Sequence, residues 1–252
     1  MNDIEYNDKI KKFAEMILHS NKIVFFGGAG VSTESGLKDY RSKDGIYNTY
    51  KKFKISPEEI LSIDFFNENP QMFYQFYREF FIHNAKPNTA HKVLAKLEKS
   101  GKEITVITQN VDNLHQMAGS KNVIELHGTA EEYYCTVCGT HYDKNYIADT
   151  SNPVPMCKKC GAVVRPKVTL YGEMLDEEVI EKAVGAIWNA DMLIIGGTSL
   201  TVYPAASFID YFKGRNLVVI NKEKTTEDAK ASLVFYESIG KVLASVVEYT
   251  EE

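Results

Sequence analysis

The chain has few cysteines, no long apolar run and no excess of basic residues, and each shortage narrows what it can be. Lys and Arg number 29 against 34 Asp and Glu, a formal charge of −5. That balance argues against a general polyanion binder, so no direct contact with nucleic acid is expected, although a local basic patch is compatible with it. No stretch of about eighteen apolar residues occurs, so no membrane span is expected. Met1-Asn2-Asp3-Ile4-Glu5 lacks the basic and apolar segments of an export signal, and a cytoplasmic protein is expected by default. No internal repeat or low-complexity segment is present. Only four cysteines occur. In a reducing compartment they point to metal or redox chemistry before structural disulfides. At 252 residues the chain has the material for one large domain with a small insertion.

What is present is organised around residues 23–41. Ile23-Val24-Phe25-Phe26 is an apolar, β-branched and aromatic run that reads as a buried strand of a parallel sheet. Gly27, Gly28 and Gly30 follow at once. Such a turn lets backbone approach a pyrophosphate, with the next helix aiming its N-terminal N–H groups at the anion. The glycines alone fit a tight turn without ligand equally well, because Gly28-Ala29-Gly30 is not a full G-x-G-x-x-G fingerprint. Ser32, Asp39 and Arg41 add polar groups at the mouth of the same strand, where ligands of open α/β sheets bind.

Residues 8–19 carry Ile10, Phe13, Ala14, Ile17 and Leu18 at helical spacing. Residues 44–86 are dense in aromatics, including Tyr47, Tyr50, Phe53, Phe73, Tyr77, Phe80 and Phe81, and suit two or three short helices. Core packing explains most of them, and lining of an apolar channel a few. Thr89–Leu97 reads as a helix. A second strand, Ile104–Thr108, ends in Gln109-Asn110-Val111-Asp112. Four polar side chains there, counting Thr108, exceed what a simple Asx-turn needs. His115 falls on a helix face. Val123–His127 reads as a third strand that ends polar before Gly128, and its position lets the same rim collect His127.

Cys135-x2-Cys138 and Cys157-x2-Cys160 are separated by eighteen residues. Each knuckle folds back to present two thiolates, and four soft ligands satisfy a closed tetrahedral zinc ion. A redox centre needs one reactive pair at a helix start, and a catalytic zinc needs an open position. A structural zinc ribbon is therefore expected. Val163–Glu173 is read as returning the chain to the main sheet. A helix over Glu177–Trp188 precedes another strand, Ala190–Ile195, which runs into Gly196-Gly197-Thr198-Ser199-Leu200, a second turn of small donors. Asn216–Asn221 is the next strand, and Leu233-Val234-Phe235 with a helix over Val242–Val247 completes the chain. Alternating strands and helices with polar strand ends describe an α/β, doubly wound parallel sheet.

Taken together, the blocks Gly28–Ser32, Ser35–Arg41, Thr108–His115, Glu125–Gly128, the two cysteine pairs, Arg165-Pro166, Tyr171–Glu173, Gly197–Leu200 and Val219–Asn221 resemble the sirtuins, in order and along nearly the whole chain. The resemblance implies a Rossmann-like NAD-binding domain from residues 1–41, 87–130 and 165–252. It also implies a smaller domain made of a helical module with the cofactor-binding loop (42–86) and a zinc ribbon (131–164). It implies an NAD-dependent protein lysine deacylase that consumes NAD as a substrate: the amide oxygen of an acyl-lysine attacks the ribose carbon, nicotinamide leaves, and the acyl group ends on ADP-ribose. On this basis His127 is the general base, with Asn110 and Asp112 at the nicotinamide and Gln109 on its ribose. Gly28, Ala29, Gly30, Ser32, Asp39, Tyr40, Arg41, Gly197, Thr198, Ser199, Asn221, Lys222 and Ile239 contact the cofactor. Val168, Leu170, Tyr171, Gly172, Glu173, Leu200 and Val202 hold the acyl-lysine peptide as an added strand. Cys135, Cys138, Cys157 and Cys160 hold one structural Zn2+.

Two positions depart from the family's usual pattern: Lys38 stands where proline is usual, and Tyr40 where phenylalanine is common. Sirtuins that prefer succinyl-lysine carry a Tyr-x-x-Arg pair. Here Phe80 follows Tyr77 by three, and Arg78 points from another side of a helix, so acetyl or longer apolar acyl groups are expected over succinyl. A mono-ADP-ribosyltransferase on the same scaffold shares the NAD site. A non-catalytic sensor of NAD or ADP-ribose, or a zinc-ribbon DNA binder, would not need His127, Asn110 and Asp112 together.

Overall fold

The computed structural model describes residues 3–39, 45 and 55–250. Tyr40, Arg41, Tyr47, Tyr50 and Phe53 lie outside the described residues.

Helix α1 (Asp3–His19) leads into β1 (Lys22–Gly27), whose residues after Lys22 are all buried. Three short helices follow, α2 (Pro57–Ile60), α3 (Ile63–Glu68) and α4 (Pro70–Phe81). Ser56 and Ser62 start the first two by accepting the Glu59 and Phe65 N–H groups, as N-caps do. Helix α5 (Thr89–Lys99) has a capping box in which Asn88 and His91 serve each other's end of the first turn. The chain continues through β2 (Glu103–Thr108), α6 (Leu114–Ala118), β3 (Val123–Glu125), β4 (Gly128–Cys135), β5 (His141–Tyr142), α7 (Lys144–Ala148) and β6 (Val164–Val168). It closes with α8 (Glu177–Trp188), β7 (Met192–Gly196), β8 (Asn216–Ile220), β9 (Leu233–Phe235) and α9 (Ile239–Thr250).

Six parallel strands pair in the order β3-β2-β1-β7-β8-β9. Chain order runs outward from β1 in one direction and then, from β7, in the other. The reversal opens a crevice between β1 and β7, the place where doubly wound sheets bind dinucleotides. Side chains alternate across the sheet. Ile23 and Phe25 pack with Ile10, Phe13, Leu94 and Val242 from α1, α5 and α9, whereas Val24 and Phe26 pack with Ala183 and Ile187 of α8.

The second sheet is antiparallel, in the order β5-β4-β6. This corrects the reading that residues 163–173 rejoin the main sheet: Val164–Val168 is an edge strand on β4. Pro166 explains the placement, because a residue with no N–H suits an edge. The third strand also ends earlier than its sequence suggests, at Glu125, and Gly128 begins a strand of the other sheet. His127 therefore sits at the crossing between the two sheets. Beneath the small sheet, Phe73, Tyr74 and Tyr77 of α4 pack on Tyr133 and Val164 in a separate aromatic core.

Candidate active site

The last residues of β1, β2 and β7 are in register, Gly27 facing Thr108 on one side and Gly196 on the other. Three loops consequently leave the sheet side by side. Two of them touch at glycine: Gly30 N–H donates to Gly197 O at 2.8 Å, and a Cβ on Gly30 would lie 2.7 Å from Gly197 Cα. Gly197 has φ +60°, and a Cβ there would stand 2.4 Å from Val31 N. Neither position admits another residue without moving backbone.

The polar residues of the β2 loop face this junction. The Asn110 amide donates to Gly28 O and to Ser32 Oγ, both at 3.1 Å. Ser32 Oγ in turn donates to Asp112 Oδ2 at 2.6 Å, and Asp112 Oδ1 accepts the Leu114 N–H at 3.0 Å. Ser32, expected to cradle a phosphate, is thus engaged between the amide and the carboxylate. The Gln109 side-chain amide donates to Thr198 Oγ1 at 3.1 Å, which ties the β2 loop to the β7 loop.

His127 Nδ1 lies 2.9 Å from Gln109 O. A carbonyl only accepts, so Nδ1 carries the proton and Nε2 is the basic nitrogen. Burial holds the imidazole below its ordinary pKa of 6.5, the bond to Gln109 opposing this in part. His127 is therefore neutral at neutral pH and able to accept a proton.

A cleft of about 540 Å³ runs along these loops. That falls within the roughly 300–1,000 Å³ of small-molecule sites. It brings together Gly28, Ala29, Gly30, Ser32 and Asp39 of the first loop with Gln109, Asn110, Asp112 and His127. The opposite wall is Val168, Leu170, Tyr171, Gly172 and Glu173 with Gly197, Thr198, Ser199 and Val202, and Asn221, Lys222 and Ile239 close the far end. Leu200 is not brought into the cleft. It has φ +54° and a side chain buried against the α8 side of the sheet.

The cleft also has residues that sequence reasoning did not single out as its lining: Leu37, Val111, Ala130 and His83. Among the described residues, Tyr77, Phe80 and Phe81 are the aromatics of 44–86 that reach it. Their density was the only signal; nothing marked His83. Arg78 turns away and donates to the carbonyls of Ile147, Asp149, Asn152 and Pro153.

The Sir2 family model matches residues 28–204, which take in all three loops and the whole of the smaller sheet. The chain belongs to the Sir2 family. It is 54% identical over 96% of its length to the whole of a protein of Clostridium perfringens named NAD-dependent protein deacetylase. A protein of the same name from Clostridium acetobutylicum is 51% identical, with 95% of this chain and 98% of the relative covered. Among solved structures, a Sir2 with a deacetylated p53 peptide and 3′-O-acetyl ADP ribose superposes with a TM-score of 0.89 at 39% identity, covering 95% of this chain and 98% of that one. A Sir2 bound to acetylated peptide gives 0.84 at 37% identity, with coverage of 96% and 98%.

In this Sir2 chain the four cysteines converge as their spacing predicts. Their sulfurs all lie within 4.8 Å of one another, with Cys135–Cys160 and Cys138–Cys157 at 3.4 and 3.5 Å. Sulfurs about 2.3 Å from one tetrahedral zinc stand about 3.8 Å apart, so the set fits the ion. The donors around it suit thiolates. Val137 and Cys138 N–H groups point at Cys135 Sγ, and Lys159 N–H and the Tyr142 hydroxyl point at Cys157 Sγ. The Tyr142 bond helps draw the Cys157 thiol down to about 5. No helix among the described residues is long and apolar enough to cross a membrane.

Proposed function

We propose that this Sir2 protein is an NAD-dependent protein lysine deacetylase that yields nicotinamide, free lysine and O-acetyl-ADP-ribose. The observation that carries the reading is a neutral, proton-accepting His127 bonded to Gln109 in the same cleft as the Asn110–Ser32–Asp112 chain. The names of relatives more than 50% identical over nearly the full chain support it.

NAD supplies a ribose carbon made electrophilic by its nicotinamide leaving group. The chain's own residues orient and exclude. Asn110 and Asp112 hold the carboxamide end, with Asp112 kept in place by Ser32 and the Leu114 N–H. Gln109 bonds the nearby ribose, and the facing glycine loops at Gly28–Gly30 and Gly197–Ser199 admit the diphosphate at the strand-order reversal. Asn221, Lys222 and Ile239 meet the adenosine end, and Tyr40 and Arg41 complete the cofactor loop. His127 takes a proton from a ribose hydroxyl through Nε2.

The acyl-lysine polypeptide adds between Val168–Glu173 and the Leu200–Val202 turn, its main chain bonding as an extra strand. Val168 and Leu170 flank the acyl stem. The acyl group is acetyl or a longer apolar chain and not succinyl, a reading supported by Arg78 being committed to four carbonyls away from the cleft. Residues 1–41, 87–127 and 169–252 form the NAD-binding domain, and 42–86 with the zinc-bearing 128–168 form the smaller one, the expected bounds at 130 and 165 shifting because β4 and β6 pair in the smaller sheet. One Zn2+ on the four cysteines is structural. A cytoplasmic setting is part of the proposal, supported by four cysteines gathered at one metal-type site with no disulfide among them.

The test is incubation of purified protein with NAD and an acetyl-lysine peptide, read by mass spectrometry. Loss of the acetyl group with appearance of O-acetyl-ADP-ribose, abolished in His127→Ala, is the expected result. ADP-ribose on the peptide would make the protein a transferase, and faster removal of succinyl than of acetyl would refute the acyl assignment.

A further inference from the structure

Behind the cleft wall Arg165 and Glu173 form a two-pronged pair, Nη1 to Oε1 at 2.7 Å and Nη2 to Oε2 at 2.8 Å. Arg165 belongs to β6, and its guanidinium carbon lies 5.8 Å from each of the Phe66 and Tyr134 rings. Its side chain is only 11% exposed. A planar guanidinium in such a slot meets a carboxylate in one orientation, which a lysine ammonium does not specify.

The pair also fastens backbone. Arg165 Nη2 donates to Val168 O at 3.1 Å, and Glu173 Oε2 accepts the Leu170 N–H at 2.8 Å. Glu173 N–H donates to Leu170 O at 3.0 Å. The segment Val168–Glu173 is closed at its base by side chains. Its other edges are tied elsewhere: Thr169 N–H donates to His127 O at 2.9 Å, and Tyr171 bonds Leu61 and Ile63 through its N–H and carbonyl at 2.9 and 3.0 Å. One short stretch is thereby held by the strand of the cysteine-bearing sheet, by the His127 backbone and by the helical module. Glu173, expected to touch substrate, has both carboxylate oxygens occupied inside the protein.

We infer that the Arg165–Glu173 pair is a positioning device for the acyl-lysine polypeptide, presetting the main chain on which that polypeptide adds. A wall ordered beforehand spares binding the loss of loop entropy, so the pair acts on peptide affinity. It lies apart from the glycine loops and leaves the NAD end alone. The inference rests on the deacetylase reading for its substrate, and its test is built to separate the two.

The experiment uses full-length Glu173→Gln and Arg165→Lys. The affinity of a fluorescent acetyl-lysine peptide is measured directly, and KM for peptide and for NAD in turnover. Peptide Kd and KM are expected to rise about tenfold or more, with KM for NAD and ADP-ribose affinity within about twofold and kcat changed less than KM. Zinc content should not change. Unchanged peptide affinity, or equal weakening towards peptide and NAD, would overturn the proposal. Unfolding of both single variants would also overturn it, by making the pair a folding element. A wild-type chain that binds the peptide without deacetylating it would sink the deacetylase reading while the affinity comparison still stands.

Discussion

Ser32 Oγ donates to Asp112 Oδ2 at 2.6 Å, joining two loops 80 residues apart in the chain. The same oxygen accepts from Asn110, so one hydroxyl fixes Asn110 and Asp112 of the β2 loop against the glycine turn. Asp112 is 8% exposed, and water has little access to replace a lost partner.

Ser32→Ala is therefore expected to destabilise the protein by about 1–3 kcal/mol, the range for stranding a buried polar group. It should also lower kcat/KM for NAD by at least about tenfold, because Asn110 and Asp112 lose their common tie. Thermal unfolding and initial rates check both. A variant with wild-type NAD kinetics would remove Ser32 from the positioning of Asp112.

The strands of the main sheet were legible because both faces are buried and the sequence shows unbroken apolar runs at 23–26 and 192–195 and one at 104–107 interrupted only by Thr105. The glycines and polar strand ends mark the cleft within the sequence itself. Three things were not legible. The exit of the chain into the second sheet at Gly128 is set by pairing with Lys167 and Val168, forty residues away, and no local pattern announces it. Nor does composition show that Ser32 and Glu173 have inward partners, since Asp112 and Arg165 become neighbours only in three dimensions. Nor does the sequence show that Leu200, expected to hold the peptide, has a left-handed backbone and a side chain packed in the core beside α8.

His127 is held below pH 6.5 by burial, and its neutral form is the competent base. The sign follows directly: activity is present above the folded pKa and is lost as pH falls through it. The acid limb of the kcat/KM profile, which reports the free enzyme, should have its midpoint below 6.5. A midpoint above 6.5 would contradict the buried, Gln109-bonded tautomer.

Removing the metal should disorder the small sheet and spare the large one. Cys135 and Cys157 are buried; Cys135 ends β4, and the adjacent β6 runs to Val168 of the cleft wall. Elemental analysis should give about one zinc per chain, and chelation should abolish activity, because binding energy at such a site is folding energy. Hydrogen exchange should then rise at Gly139, Cys157 and Gly161, whose amides donate across the knuckles, while β1 and β7 stay protected. Loss of protection in β1 at the same time would show one cooperative unit instead.

His91 and His115 face each other beneath Asp112 with ring centroids 4.6 Å apart, and three of their four ring nitrogens have no partner in the protein. Burial lowers His91 to about 4 and His115 to about 3 from 6.5. Both are neutral when folded, so the unfolded chain binds more protons below pH 6.5. Their contribution to stability is complete above 6.5 and is lost as pH falls towards those values. At pH 5 the loss should be about 2 kcal/mol for each histidine. His115→Phe keeps a ring against Phe25 and removes two unsatisfied nitrogens. Its urea midpoint should match or exceed wild type at pH 7.5, and between pH 7.5 and pH 5 it should fall less. Metal ligands and carboxylates titrate alike in both proteins, so the difference between the two slopes isolates the histidine. Equal slopes would mean that the pair is hydrated and titrates freely.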